Sequence, residues 1–108
     1  LTAYSLTEAA EADLREIIRY TRKQWGEAQV RRYVATLESG LADLAAGQGR
    51  FKDMSALFPK LRMTRCEKHY LFCLPRENAP ALIVAIFHER MDLMTRLAAR
   101  LSLDSAES

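Results

Sequence analysis

The run Ala81-Leu82-Ile83-Val84-Ala85-Ile86-Phe87-His88 is apolar at every position before its histidine. Alternation along a strand puts Leu82, Val84 and Ile86 on one face and Ile83, Ala85 and Phe87 on the other. A strand apolar on both faces is central in its sheet and covered from both sides. The rest of the chain has to account for two covering layers.

Downstream, Met91–Leu101 has helical spacing, with Met94, Leu97, Ala98 and Leu101 inward and Arg96 and Arg100 outward. Residues 102–108, small and acidic, read as a disordered tail after a domain spanning 1–101. Upstream, Leu61–Cys66 and His69–Pro75 form a hairpin if the turn lies at Glu67-Lys68. Leu61 then faces Leu74, Met63 faces Phe72 and Arg65 faces Tyr70 on a core face. Arg62, Thr64, His69, Leu71 and Cys73 fall on the opposite side, a mixed surface. Glu-Lys is a poor two-residue turn, so a slipped register stays open. Phe51–Lys60 reads as a loop anchored by Met54, Leu57 and Phe58.

Two helices come before it. Thr7 stands at an N-cap with Glu8 and Glu11 in the first turn, and the stripe Ala10, Leu14, Ile17, Ile18 and Thr21 ends near Trp25. Gly26 separates this helix from a second with the stripe Val30, Tyr33, Val34, Leu37, Leu41, Leu44 and Ala45, stopped at Gly47. Leu1–Leu6 makes a first strand. The order β-α-α-β-β-β-α defines an α+β fold, a helical hairpin on one face of a small mostly antiparallel sheet, with a C-terminal helix. That hairpin is one cover of the central strand; the other is expected from a partner.

The 108 residues make room for one domain, and 49% apolar with 28% charged is ordinary for a globular protein. The longest apolar run, Ala79–Phe87, is far short of a membrane span, which needs about 20 residues. Leu1–Leu6 has no basic lead of a signal peptide, so the expected compartment is the cytoplasm. The hairpin register would hold Cys66 and Cys73 about 13 Å apart, too far for a disulfide. The net charge is only +2, but Arg50, Lys52, Lys60, Arg62, Arg65, Lys68 and Arg76 face only Asp53 and Glu67 within residues 50–76. This basic run is either a solvated rim or a steering field for an acidic partner.

Three segments carry a family resemblance. Tyr4-Ser5-Leu6-Thr7-Glu8-Ala9-Ala10-Glu11 resembles the strand-to-helix start of the RelE/ParE toxin superfamily. Ile17-Ile18-Arg19-Tyr20-Thr21 with Trp25-Gly26 is similar to the first helix and hairpin turn of ParE toxins. Ile86-Phe87-His88-Glu89-Arg90-Met91-Asp92-Leu93-Met94, the most specific of the three, resembles their last strand and the start of their terminal helix. The resemblance implies the toxin of a type II toxin–antitoxin pair. RelE-like members cut mRNA on the ribosome; ParE-like members act on DNA gyrase.

RNA cleavage by 2′-OH attack needs a base, an acid and positive charge for the phosphorane. Of the positions that serve RelE-like toxins, the third-strand arginine falls here on Tyr70. The last-strand arginine is matched by Arg90, and the terminal tyrosine falls near Arg96. The resemblance therefore implies gyrase inhibition, with no catalytic residue; ribosome-dependent cleavage using Arg90 and His88 is the alternative, and a non-toxic binding relative is a third. His88 and Glu89, adjacent on a strand, point to opposite faces, which favours a structural or binding role for His88. His69 and Cys66 are two ligands, too few for zinc. No cofactor or metal is expected.

The implied partners are a ParD-like antitoxin in a hetero-oligomeric complex, and gyrase, with neither membrane nor sequence-specific nucleic-acid binding. The expected gyrase contacts are Arg90, Met91, Met94, Arg96 and Arg100. The expected antitoxin contacts are Arg62, Arg65, Leu71, Met94 and Leu97, the antitoxin supplying the missing cover of the sheet.

Overall fold

The computed structural model describes the backbone of residues 4–107 and side chains from Tyr4 through Ser102. Its elements are β1 (Tyr4–Leu6), α1 (Glu8–Trp25), α2 (Glu27–Ala46), β2 (Lys52–Asp53), β3 (Arg62–Cys66), β4 (His69–Leu74), β5 (Ala81–His88) and α3 (Leu93–Glu107). Positions 1–3 of the expected first strand, and Ser108 of the expected tail, lie outside the described residues. The sheet order is β1-β5-β4-β3-β2. β1 runs parallel to β5, and the other neighbours are antiparallel. Only β2, inside the segment expected to be loop, was not anticipated. α3 continues through positions 102–107, most of the expected disordered tail.

The caps explain the helix ends. Thr7 Oγ1 accepts the Ala10 N–H at 3.1 Å, and Glu8 and Glu11 lie against the positive end of the α1 dipole. Gly47, left-handed at φ 71°, ends α2. Its N–H reaches the Leu44 carbonyl at 3.2 Å while the Gln48 N–H reaches that of Asp43 at 2.8 Å, a Schellman closure.

The hairpin register is the expected one, Cys66↔His69 through Met63↔Phe72, and Glu67 takes a left-handed φ of 56° to make the turn. The cysteines are free.

Both faces of the sheet are core. On one, Ala10, Ile17, Leu37, Leu41 and Leu44 of the helical hairpin pack on Leu71, Cys73, Ile83 and Ile86. On the other, Leu97 and Leu101 of α3, with Met54 and Leu61, pack on Phe72, Val84, Ala85 and Phe87. Two expectations are corrected here. The side assigned to a mixed surface is core, with Leu71 and Cys73 wholly buried. The second cover is the chain's own α3, which presents Leu93, Leu97 and Leu101 inward, while Met94 and Ala98 are exposed.

β5 is not regular. Phe72 opposes Ala85 and Cys73 opposes Ile83, so Val84 is the extra residue of a bulge. Strict alternation is thereby broken: Ile83 and Ile86 share the hairpin side, whereas Val84, Ala85 and Phe87 share the α3 side. The bulge lies where β1 runs out, since the β1–β5 pairing ends at Leu6↔Ile83. The edge groups that follow are taken up by a side-chain pair. Asp13 Oδ2 accepts the Ile86 N–H at 3.0 Å, and Arg100 Nη1 donates to the Val84 carbonyl at 2.9 Å. Arg100 also grips Asp13 through two nitrogens, at 2.9 and 3.1 Å. The pair ties α1, on one face, to α3, on the other.

Candidate functional site

The helical hairpin reaches past the sheet at its Gly26 end. α1 buries Ala10, Ile17 and Thr21, but Trp25, one turn further along the same stripe, is 70% exposed. Tyr20 beside it is 63% exposed, and a Cβ built on Gly26 would meet nothing within 4 Å. Between this overhang and the ends of β4 and β5 lies a groove of about 1030 Å³. Ile17, Tyr33, His69 and Ile86 line it from the packed layers, and Tyr20, Trp25, His88 and Met91 from its sides.

The polar part of this groove is one connected cluster. The Lys68 N–H donates to Tyr33 Oη at 3.3 Å, and Tyr33 Oη lies 2.5 Å from His69 Nδ1. With His69 neutral, the phenol donates to Nδ1 and the imidazole proton sits on Nε2. His69 Nε2 has no hydrogen-bond partner among the described residues, although the residue is only 8% exposed. His88 packs edge-on against it with centroids 5.2 Å apart, and its Nδ1 accepts the Arg90 N–H at 3.1 Å. Burial, then the neighbouring His88, push the His69 pKa down to about 4, partly opposed by Glu89 and Asp13. Burial also raises the Tyr33 phenol, against the pull of the Lys68 N–H. At pH 7 His69 is therefore neutral and presents its Nε2–H to the groove.

Arg90 and Met91 line this groove. Met94 and Arg96 are exposed on α3. Arg100, expected outward, is turned inward onto Asp13 and Val84, its guanidinium 5.0 Å from the Phe87 ring. A guanidinium satisfies the open edge of β5 and the Asp13 charge together, which solvent exposure would forgo.

Among the expected antitoxin contacts, Leu71 and Leu97 are wholly buried within the chain and present no surface. Arg62 is spent on the end of α2, donating to the Leu44 carbonyl at 3.2 Å and lying 4.9 Å from the Phe51 ring. Arg65 is exposed, pairs with Glu89 and lies over the Tyr70 ring at 5.9 Å. Met94 stays accessible. Among the described residues, no group of three or more His, Cys, Asp and Glu side chains is placed to hold a metal ion.

Sequence reading missed the groove itself. Tyr33 was counted in the apolar stripe of the second helix, Tyr20 stood only within a family-like segment, and Trp25 only marked the end of a helix. The available signal was that Trp25 continues the Ala10–Ile17–Thr21 stripe beyond any strand able to cover it.

This fold, a helical hairpin on one face of a five-stranded sheet with a C-terminal helix on the other, is that of a RelE/ParE-type toxin. Residues 4–93 match the family described as ParE toxin of the type II toxin–antitoxin system parDE. The chain is 74% identical over 101 residues to Toxin ParE of Escherichia coli, covering 94% of this chain and 98% of that protein. It is also 29% identical over 90 residues to Toxin ParE1 of Mycobacterium tuberculosis, covering 83% of this chain and 92% of that one. The chain belongs to the ParE toxin family and is the toxin component of a type II toxin–antitoxin system.

Proposed function

We propose that this toxin inhibits DNA gyrase and is silenced by direct binding of a ParD-like antitoxin, both in the cytoplasm. The observation that carries the reading is the state of the positions a ribonuclease of this fold would use. Tyr70, where RelE-like toxins place an arginine, belongs to the α3-side core and lies under Arg65. Among the described residues Arg90 has no carboxylate within 4.0 Å, and His69 in the same groove is held neutral with its pKa pushed down to about 4, a weak base. A toxin so equipped acts by binding, and gyrase supplies whatever bond-breaking occurs.

The accessible candidates for the gyrase contact are Arg90, Met91, Met94 and Arg96, on the β5–α3 turn and the outer side of α3. Induction in cells tests the reading. The expected outcome is a DNA-damage response with translation intact at early times. Toxin-dependent mRNA cuts in the ribosomal A site, mapped by primer extension and abolished by Arg90→Ala, would establish the ribonuclease instead.

A further inference from the structure

Two histidines line the Trp25–His88 groove, and the fold sets the tautomer of each. His69 Nδ1 receives the Tyr33 phenol, and His88 Nδ1 receives the Arg90 backbone N–H at 3.1 Å. A neutral imidazole that accepts at Nδ1 carries its proton on Nε2. Both rings therefore offer an N–H, and neither Nε2 has an acceptor among the described residues. The ring centroids are 5.2 Å apart. With His69 only 8% exposed, an unpaired donor at that depth is costly until an acceptor arrives. A metal ion does not suit the pair, since it binds an imidazole through a lone pair and both free nitrogens carry protons. An oxyanion does.

The surrounding charge agrees. Arg32, Lys68 and Arg90 line the groove, and none has a carboxylate within 4.0 Å among the described residues. Of the acids there, Asp13 is bound by Arg100 and Glu16 by Arg19 at 2.8 Å, leaving Glu67. The sides add exposed flat rings, Tyr20 and Trp25, on which a nucleobase of any identity can stack. A groove of about 1030 Å³ has room for base, sugar and phosphate together. A strand fits less well than a single nucleotide, because Glu16 and Glu67 line the same groove and repel further phosphates.

We propose that this groove is a site for a nucleoside monophosphate, its phosphate on the Nε2–H groups of His69 and His88 beside Lys68 and Arg90, and its base stacked on Trp25. The site is independent of gyrase as the target. Tyr33 is a positioning residue here, since its phenol fixes which nitrogen of His69 faces the ligand. A bound nucleotide gives the buried donor its acceptor and covers the Trp25 ring, so it also stabilises the folded chain.

The test is titration calorimetry of adenosine monophosphate, adenosine and inorganic phosphate into the full chain. Imidazole nitrogen NMR and the fluorescence of Trp25, the single tryptophan, are read alongside. The nucleotide is expected to bind at least about tenfold more tightly than adenosine or phosphate, because the two parts are linked. It should quench Trp25 and move the His69 and His88 nitrogen signals. Trp25→Ala should weaken nucleotide binding at least about fivefold, and Lys68→Ala/Arg90→Ala should do the same. Arg50→Ala/Lys52→Ala, which removes the same charge outside the groove, should leave it unchanged. All these side chains are exposed, so the variants keep the fold, and the NMR readout uses the native protein. No nucleotide binding at millimolar concentration, imidazole signals that do not move, or equal affinity for nucleotide and phosphate overturns the site. Tighter binding of single-stranded octa-adenylate than of the nucleotide also overturns it, making the occupant a nucleic acid.

Discussion

Asp13 and Arg100 show how much of this toxin hangs on single side chains. Their side chains are 16% and 18% exposed, and together they meet two backbone groups of β5 left open where β1 ends. Removing one partner strands a largely buried charge and reopens the strand edge. Arg100→Met is therefore expected to destabilise the fold by about 2–4 kcal/mol, read as a lowered urea midpoint at unchanged m-value. Arg96→Met, exposed on the same helix, should change stability by less than about 0.5 kcal/mol. His69 gives a pH dependence of defined sign. Its folded pKa of about 4 lies below the ordinary 6.5, so between those values the unfolded chain binds the extra proton. Stability is fully present above pH 6.5 and falls as pH drops toward 4. With water reaching the groove side of the ring, the loss is about 2 kcal/mol. Urea melts from pH 7 to pH 4.5 check it, and His69→Gln should remove this part of the slope. None of this was readable from sequence. Arg100 looks like an outer helix position, and only the β5 bulge and the short β1 turn it inward.

The helices were legible because their signals are local. Thr7 before Glu8 and Glu11, the apolar stripes, and Gly26 and Gly47 each act within a turn of the residue that carries them. Thr7→Ala should cost about 1 kcal/mol through the lost bond to Ala10, with β1 and α1 the first segments to lose amide protection in hydrogen exchange. The hairpin register was legible for a different reason: a one-residue slip would throw Met63, Phe72 and Leu74 to the wrong face. That constraint outweighs a poor turn, and Glu67 accepts a left-handed φ of 56° as the consequence. Glu67→Gly should then leave stability within about 1 kcal/mol of the parent, relief of strain offsetting glycine's entropy, whereas Glu67→Val, β-branched at that φ, should lower it by at least about 1 kcal/mol. Thermal melts of the two variants separate these outcomes. The bulge at Val84 escaped because a run apolar on both faces carries no period to betray an extra residue. β2 escaped because two exposed residues, Lys52 and Asp53, have no pattern at all.

The layer order of the molecule followed from Ala81–Phe87, but the identity of its second layer did not. Sequence reading assigned that cover to a partner; Leu97 and Leu101 of α3 provide it instead. The unfilled surface lies on the hairpin side, at Trp25, where chain length and not polarity leaves an apolar stripe uncovered. The closed α3 side has its own bearing on the target: α3 is held by Leu97, Leu101 and Arg100, so Met94 and Arg96 are presented on a fixed helix. A supercoiling assay with purified gyrase, relaxed plasmid and folded toxin, run beside a cell-free translation assay, tests gyrase inhibition. The expected result is loss of supercoiling at toxin concentrations that leave translation untouched, weakened at least about tenfold by Met94→Glu/Arg96→Glu. Gyrase that supercoils unimpaired in a large excess of folded toxin would contradict it.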